Sequence, residues 1–479
     1  MSERSDEPSV SSRPGLPVVQ ALLSWQFFYG RRQTWQELVR RVAEVDSLEL
    51  FAHSTHWNAV FHGVIGQRRS ELDGVLLQTL IPPQYRNHLE RSGSAVSPML
   101  VCRQSFLVLS RLALEVGGEP GTGRSVQAPE LFEILLSVND LLDHPVIEGN
   151  EAPWPFGDAD LRARWAMARR LIGNAELSNR HNVVRMFLRS RRMMKLNAAL
   201  QAESGSVDLE GLVQRATGLS LDTFWFLATA VFLRSIEPTL LSTTDEKPGS
   251  TLFAGNLVNF SPETLSQGVN VGVEDAAKFL AYLSRPFGAW KSGAPRLQPE
   301  NSNFLDFRLR PFVDIGRGIF RLVDRDFLVE RAANVIFFGA KDQLCEEAPS
   351  GAARSTVIQT FGGWWGNLHE KTLNEKLTAS RWKECFHTTL PGCDLPPSDG
   401  IFKGATGWAL LEYKATLLPV QARHSPNALP IARALARVLR SEETWQAERR
   451  RYSATRGSRS SSVGPARLSA TCLSGSRLS

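Results

Sequence analysis

Pro397-Ser-Asp-Gly-Ile-Phe-Lys-Gly-Ala-Thr-Gly-Trp-Ala-Leu-Leu-Glu-Tyr-Lys-Ala415 carries two short apolar runs on either side of Gly404-Ala-Thr-Gly407, the pattern of a β-hairpin. With residues 404–407 as the loop, Lys403 stands opposite Trp408, and counting back along both strands brings Asp399 opposite Glu412. Directly opposed side chains on a sheet have Cβ atoms about 5 Å apart, and like charges so placed destabilise the pair unless something neutralises them. A divalent cation would do so. Because side chains alternate along a strand, Lys414 shares the face of Glu412, while Leu411 and Tyr413 point to the other. An ammonium is therefore expected beside the cation.

This arrangement resembles the PD-(D/E)-x-K nuclease superfamily, in which an acid is followed at hairpin spacing by acid-x-Lys on the next strand. The matching positions are Asp399 and Glu412-Tyr-Lys414. Members often add a Glu from a preceding helix, and Gly366-Asn-Leu-His-Glu-Lys-Thr-Leu-Asn-Glu-Lys-Leu377 suits that role. At helical spacing Glu370 shares a face with Leu373, Asn374 and Leu377, and a carboxylate on an apolar helix face is costly unless paired or bound to a cation. The resemblance covers residues 311–440 and implies an α/β restriction-endonuclease-like domain with a central mixed sheet. It further implies a Mg²⁺-dependent (or Mn²⁺-dependent) nuclease. Asp399, Glu412 and the Tyr413 carbonyl would be metal ligands, Glu370 a further acidic contributor, Lys414 the catalytic ammonium, and nucleic acid, DNA first, the partner. The superfamily core needs a helix and a further strand after acid-x-Lys. Residues 428–440 have helical periodicity, but no convincing closing strand comes after them, so either another part of the chain supplies it or the C-terminal part is altered.

Acid-x-Lys alone is a weak pattern. With ten lysines and 49 acids in 479 residues, about one match arises by chance, and two occur. The other, Asp245-Glu-Lys247, lies in Ser242-Thr-Thr-Asp-Glu-Lys-Pro-Gly-Ser250, which reads as loop. The match at Lys414 gains weight from its apolar strands, the upstream Asp in register and the preceding helix. An ordinary surface hairpin with a solvated Glu and Lys is the competing reading.

Hydrophobic residues at 42% and charged residues at 22% are those of a folded globular protein. The net charge is +6 and 45 of the 55 basic residues are arginine, which favours planar, bidentate contacts to phosphate. Cys102, Cys345, Cys385, Cys393 and Cys472 are scattered, odd in number and without a C-x-x-C pair, so a disulfide framework or zinc ribbon is not indicated. A polar N-terminus and the lack of any apolar run near 20 residues lead to the expectation of a cytoplasmic protein without membrane contact.

The expected fold class is α+β, a mostly helical N-terminal region followed by the nuclease-like domain. Residues 1–15 read as disordered, residues 16–300 as mostly helical, and residues 452–479, rich in Ser and Arg without an acid, as a disordered tail. Helical spacing recurs from Val18 (Leu22, Trp25, Phe28, then Trp35, Leu38, Val39, Val42) and predicts helices over 106–116, 129–142, 161–172, 183–200 and 220–236. A boundary is expected at residues 286–303, which hold Pro286, Pro295 and Pro299. Beyond it, β-like runs are read at 318–323 and 334–338, with a short helix over 326–333 between them.

Three other patterns bear on function. Gly118-Glu-Pro-Gly-Thr-Gly-Arg-Ser125 has P-loop spacing, but with Arg in place of Lys and a helix before it, so a helix C-cap and loop is favoured. His53, His56 and His62 lack a suitable further ligand and read as packing or surface residues. Residues 162–195 carry ten basic residues, among them Arg169, Arg170, Arg185, Arg189, Arg191 and Arg192, and one acid, Glu176. That stripe suits backbone phosphates. A solvated helix face balanced by acids elsewhere is the alternative. For the whole chain, the rival to a nuclease is a non-catalytic nucleic-acid-binding or assembly protein on a nuclease-like platform, and a purely helical scaffold with an incidental hairpin stands third.

Overall fold

A computed structural model describes residues 25–31, 33–63, 81–83, 85–86, 103–143, 181–201, 207–235, 257–292, 304–379, 386–387, 400–403 and 408–411. The chain is mostly helical with a small mixed sheet, an α+β protein. The N-terminal periodicity resolves into α1 (Trp25–Tyr29) and α2 (Trp35–Ala43), followed by α3 (Ser47–Gly63), α4 (Arg103–Val116) and α5 (Ala128–Asp143). Thr34 and Glu37 cap α2 reciprocally, so two donors at the helix start are satisfied by local side chains. Then come α6 (His181–Gln201), α7 (Leu209–Thr217) and α8 (Leu221–Arg234). The helices predicted over 106–116, 129–142, 183–200 and 220–236 thus appear with ends shifted by a few residues; 161–172 lies outside the described residues.

β1 (Asn259–Phe260) leads into α9 (Pro262–Val269), α10 (Val273–Tyr282), β2 (Ser284–Pro286) and a 3₁₀ turn at Phe287–Trp290. After α11 (Leu305–Leu309) come β3 (Phe312–Asp314), β4 (Phe320–Leu322), α12 (Arg325–Ala333), α13 (Val335–Glu347) and α14 (Gly351–Thr378). The four-stranded sheet has the order β1-β4-β3-β2, with β2 parallel to β3 and the other pairs antiparallel. β3 and β4 are joined through Gly316, Arg317 and Gly318, all at positive φ, a conformation that explains the two glycines.

This sheet crosses the expected boundary. β1 lies before residues 286–303 and β2 ends on Pro286, while β3 and β4 lie after them, and one continuous hydrophobic core runs from Trp25 to Leu368. Residues 293–303, with Pro295 and Pro299, lie outside the described residues.

The run 334–338, read as a strand, is helical. Asn334 closes α12 and opens α13, whose buried residues Val335, Ile336, Gly339 and Ala340 follow helical spacing. Val-Ile-Phe-Phe is apolar at every position, so period alone did not separate the two states, and packing decided. The run 318–323 does hold a strand, β4, and the helix read over 326–333 is α12.

α14 spans 28 residues, against the twelve read as the site helix. Gly362, Gly363 and Gly366 each cost about 1 kcal/mol in a helix interior. The packing of Phe361 and Leu368, together with the Ser350 N-cap, offsets that cost and carries the helix through them.

Candidate functional site

The strands at the centre of the sequence argument are β6 (Gly400–Lys403) and β7 (Trp408–Leu411), with β5 (Phe386–His387) antiparallel on the other edge of β6. In the hairpin Lys403 pairs with Trp408, Phe402 with Ala409, Ile401 with Leu410 and Gly400 with Leu411. That is the register read from the sequence. Asp399, Glu412, Tyr413 and Lys414 lie outside the described residues. β5 was missed because the run is two residues long, below the length at which period carries information.

Glu370 lies on α14 and is half-buried, as are Leu373, Asn374 and Leu377. The deepest positions of this helix are Phe361, Leu368 and Thr372, on another face. α14 packs against α13 through an aromatic cluster in which Phe337 meets Phe361 and Trp365 at ring-centroid distances of 5.6 and 5.0 Å. Trp365 continues to the ring of His369 at 5.2 Å.

The basic helix docks on this same helix. Arg189 Nη2 donates to His369 Nδ1, and Arg192 Nε donates to Glu375 Oε2 at 2.9 Å. Burial first, and then the charges of Arg189 and Lys376, push the His369 imidazole down to about 4, so it stays neutral and accepts the Arg189 proton. Burial and repulsion from Arg189 and Arg192 likewise lower the Lys376 ammonium below its ordinary range. Arg191 is exposed. Arg169 and Arg170 lie outside the described residues, as does the side chain of Arg185. Two of the six arginines singled out from sequence are therefore engaged on α14, next to the segment that carries Glu370. Sequence reasoning missed Lys376. It stands seven residues after His369, two helical turns along the same face, and that spacing was the available signal.

The glycine-rich segment after α4 is a loop built around acids of its own chain. Asp46 Oδ2 accepts from Gly121 N, Asp46 Oδ1 from Glu49 N at 2.8 Å, and Glu49 Oε2 from Val126 N at 3.1 Å. Asp46 and Glu49 thus already take the Gly121 and Val126 amides of this loop.

His53 stands 3.8 Å from Glu49, one helical turn away, and burial lowers its pKa; His56 is buried. The side chain of His62 lies outside the described residues. Among the described residues no group of three or more His, Cys, Asp or Glu is placed to hold a metal ion.

Asp324, whose carboxyl is held below its ordinary range by the Arg103 guanidinium despite burial, caps α12. Its carboxylate accepts from Arg103 Nε at 2.7 Å, Asn58 Nδ2 at 3.0 Å, Asp326 N at 2.9 Å and Phe327 N at 3.1 Å. Every lone pair is committed, so Asp324 ties the helices together and has none left for a substrate. No single described helix is long and apolar enough to cross a membrane. Compared with the models of known families, with curated proteins and with solved structures, the chain matches none.

Proposed function

We propose that this protein is a metal-dependent nuclease hydrolysing phosphodiester bonds of DNA or RNA, with Asp399, Glu412 and Lys414 as its core site. The observation that carries the reading is the β6–β7 register, in which Gly400 pairs with Leu411. One further step in that register would set Asp399 opposite Glu412. β5, β6 and β7 would belong to the central sheet of a restriction-endonuclease-like domain, with α14 as the helix before it.

The donor set fits the implied ion. Two carboxylates and the Tyr413 carbonyl are hard oxygen ligands of the kind Mg²⁺ or Mn²⁺ takes, and Glu370 would add another. When bound, the ion supplies Lewis-acid polarisation of the phosphodiester and a lower pKa for water. Asp399 and Glu412 would hold the charge of the site in place. Lys414 would orient the attacking water and offset the negative charge that grows on the phosphate oxygens. Arg189 and Arg192 of α6 bond to His369 and Glu375 on the helix that carries Glu370.

The test is cleavage of labelled DNA and RNA by purified protein with Mg²⁺ and with EDTA. Lys414→Ala and Asp399→Asn should abolish Mg²⁺-dependent cleavage while leaving thermal unfolding close to that of the parent. Cleavage at the parent rate by either variant would remove the reading. The second reading, a non-catalytic nucleic-acid-binding platform, is favoured by the basic α6 surface, which needs no catalytic residue. It predicts binding of the same oligonucleotides without cleavage.

A further inference from the structure

Arg331, in the last turn of α12, is only 2% exposed, yet aromatic rings are its main neighbours. Its Cζ lies 5.3 Å from the Tyr282 ring centroid and 5.0 Å from that of Phe338. Rings engage the face of a guanidinium and give its in-plane N–H groups no acceptor. Nη2 donates to the Tyr282 hydroxyl at 2.7 Å and reaches Asp342 Oδ2 only at 3.5 Å. Nε and Nη1 have no acceptor among the described residues. Buried donors in folded proteins are nearly always paired, so these call for a partner.

A second guanidinium shares the phenol. Arg310 Cζ lies 5.2 Å from the Tyr282 centroid, and its buried Nη1 likewise has no acceptor among the described residues. Burial, and then the charge of Arg331, lower the Arg310 guanidinium below its ordinary range. Burial pushes the Tyr282 phenol up, so it stays protonated, and the hydroxyl that accepts from Arg331 keeps a hydrogen to donate. Phe338, Asp342 and Glu346 recur at helical spacing on one face of α13. Asp342 is 53% exposed and Glu346 is exposed, and neither takes the open nitrogens. A water would supply acceptors without easing the repulsion between two cations, whereas an oxyanion does both. We propose that Arg310, Arg331 and the Tyr282 hydroxyl bind a small oxyanion of the phosphate class where α10, α12 and α13 meet. None of these residues belongs to the proposed nuclease site, so the inference stands whether or not the chain cleaves nucleic acid.

The experiment is calorimetric titration of the full chain with sodium phosphate at neutral pH in EDTA, against sodium chloride at equal ionic strength. The parent should bind phosphate and give no matching heat with chloride. Arg310→Gln and Tyr282→Phe should each bind about tenfold more weakly, the loss expected for one hydrogen bond to a charged ligand. Asp342→Asn should bind about threefold more tightly, because a carboxylate that competes for Arg331 becomes neutral. Circular dichroism melts in chloride check that each variant folds, and Asp342→Asn, at an exposed position, keeps the test decisive if either of the others does not. A parent without phosphate heat would leave the donors to water and overturn the inference. Folded Arg310→Gln and Tyr282→Phe proteins with parental affinity would do the same, as would an Asp342→Asn protein that binds no more tightly than the parent. Thymidine 5′-monophosphate, titrated in parallel, separates the sources of the ligand. Tighter binding of phosphate names the free ion, tighter binding of the nucleotide names a phosphate group on a larger molecule, and either order upholds the site.

Discussion

Arg103 and Asp324, 221 residues apart in the chain, form a buried fork in which the guanidinium of α4 meets the N-cap carboxylate of α12, with both side chains at most 4% exposed. The pair joins the N-terminal helices to the elements after the sheet. Removing one partner leaves a buried charge without compensation, so Arg103→Ala is expected to destabilise by about 3 to 5 kcal/mol in urea unfolding.

The same pair sets a pH limit. The Arg103 guanidinium, with hydrogen bonds from Asn58 and Phe327, overcomes the desolvation of Asp324 and holds its carboxyl below the ordinary carboxylate range. A depressed acid contributes stability that is present above its unfolded pKa and lost as pH falls through the folded value. Stability should therefore fall below about pH 4. Asp324→Asn should lower stability at neutral pH and flatten that acid limb, as read from urea midpoints at stepped pH.

His369 predicts a separate window. Its imidazole titrates at about 4 in the fold against an ordinary 6.5, so between those values the unfolded chain binds more protons and stability rises with pH. Contact between α6 and α14 should weaken as pH falls from 6.5 toward 4. Hydrogen exchange of the α6 amides should accelerate over that range, and His369→Gln should remove the dependence.

Gly123 packs its Cα against the start of α3. A Cβ added there would meet Asp46 N and Asp46 Cα at 2.6 Å. Backbone atoms cannot move aside as a side chain does, so Gly123→Ala should cost about 1 to 3 kcal/mol in chemical denaturation. Because Asp46 already takes the Gly121 amide and the neighbouring loop amides bond to backbone carbonyls, ATP should not raise the melting temperature of the parent.

Metal binding makes a prediction independent of cleavage. Mg²⁺ that binds the folded state raises the melting temperature by mass action. That increase should be present in the parent and absent in Asp399→Asn/Glu412→Gln. An equal shift in both would place the ion elsewhere.

Much of the helical half was legible because each helix carries its own signal. Trp35, Leu38, Val39 and Val42 repeat at helical spacing behind a Thr34–Glu37 capping box, and local hydrogen bonds mark the start. The hairpin register was legible for a similar reason, since a four-residue loop between two apolar runs fixes which residues pair. The run 334–338 was not, because a uniformly apolar segment has no period to read. The basic stripe was visible as composition, but which of its members would meet α14 was not.

The local chain alone determined the helix starts, the turns and the hairpin pairing, because those depend on contacts a few residues apart. Tertiary packing alone decided that strands on both sides of Pro286 share one sheet, that Asp46 closes the glycine loop, and that Arg189 and Arg192 lie on the helix of Glu370. Contacts between residues far apart in the chain leave no spacing to read in the sequence, since they are selected by complementary shape and charge that exist only once the core has formed.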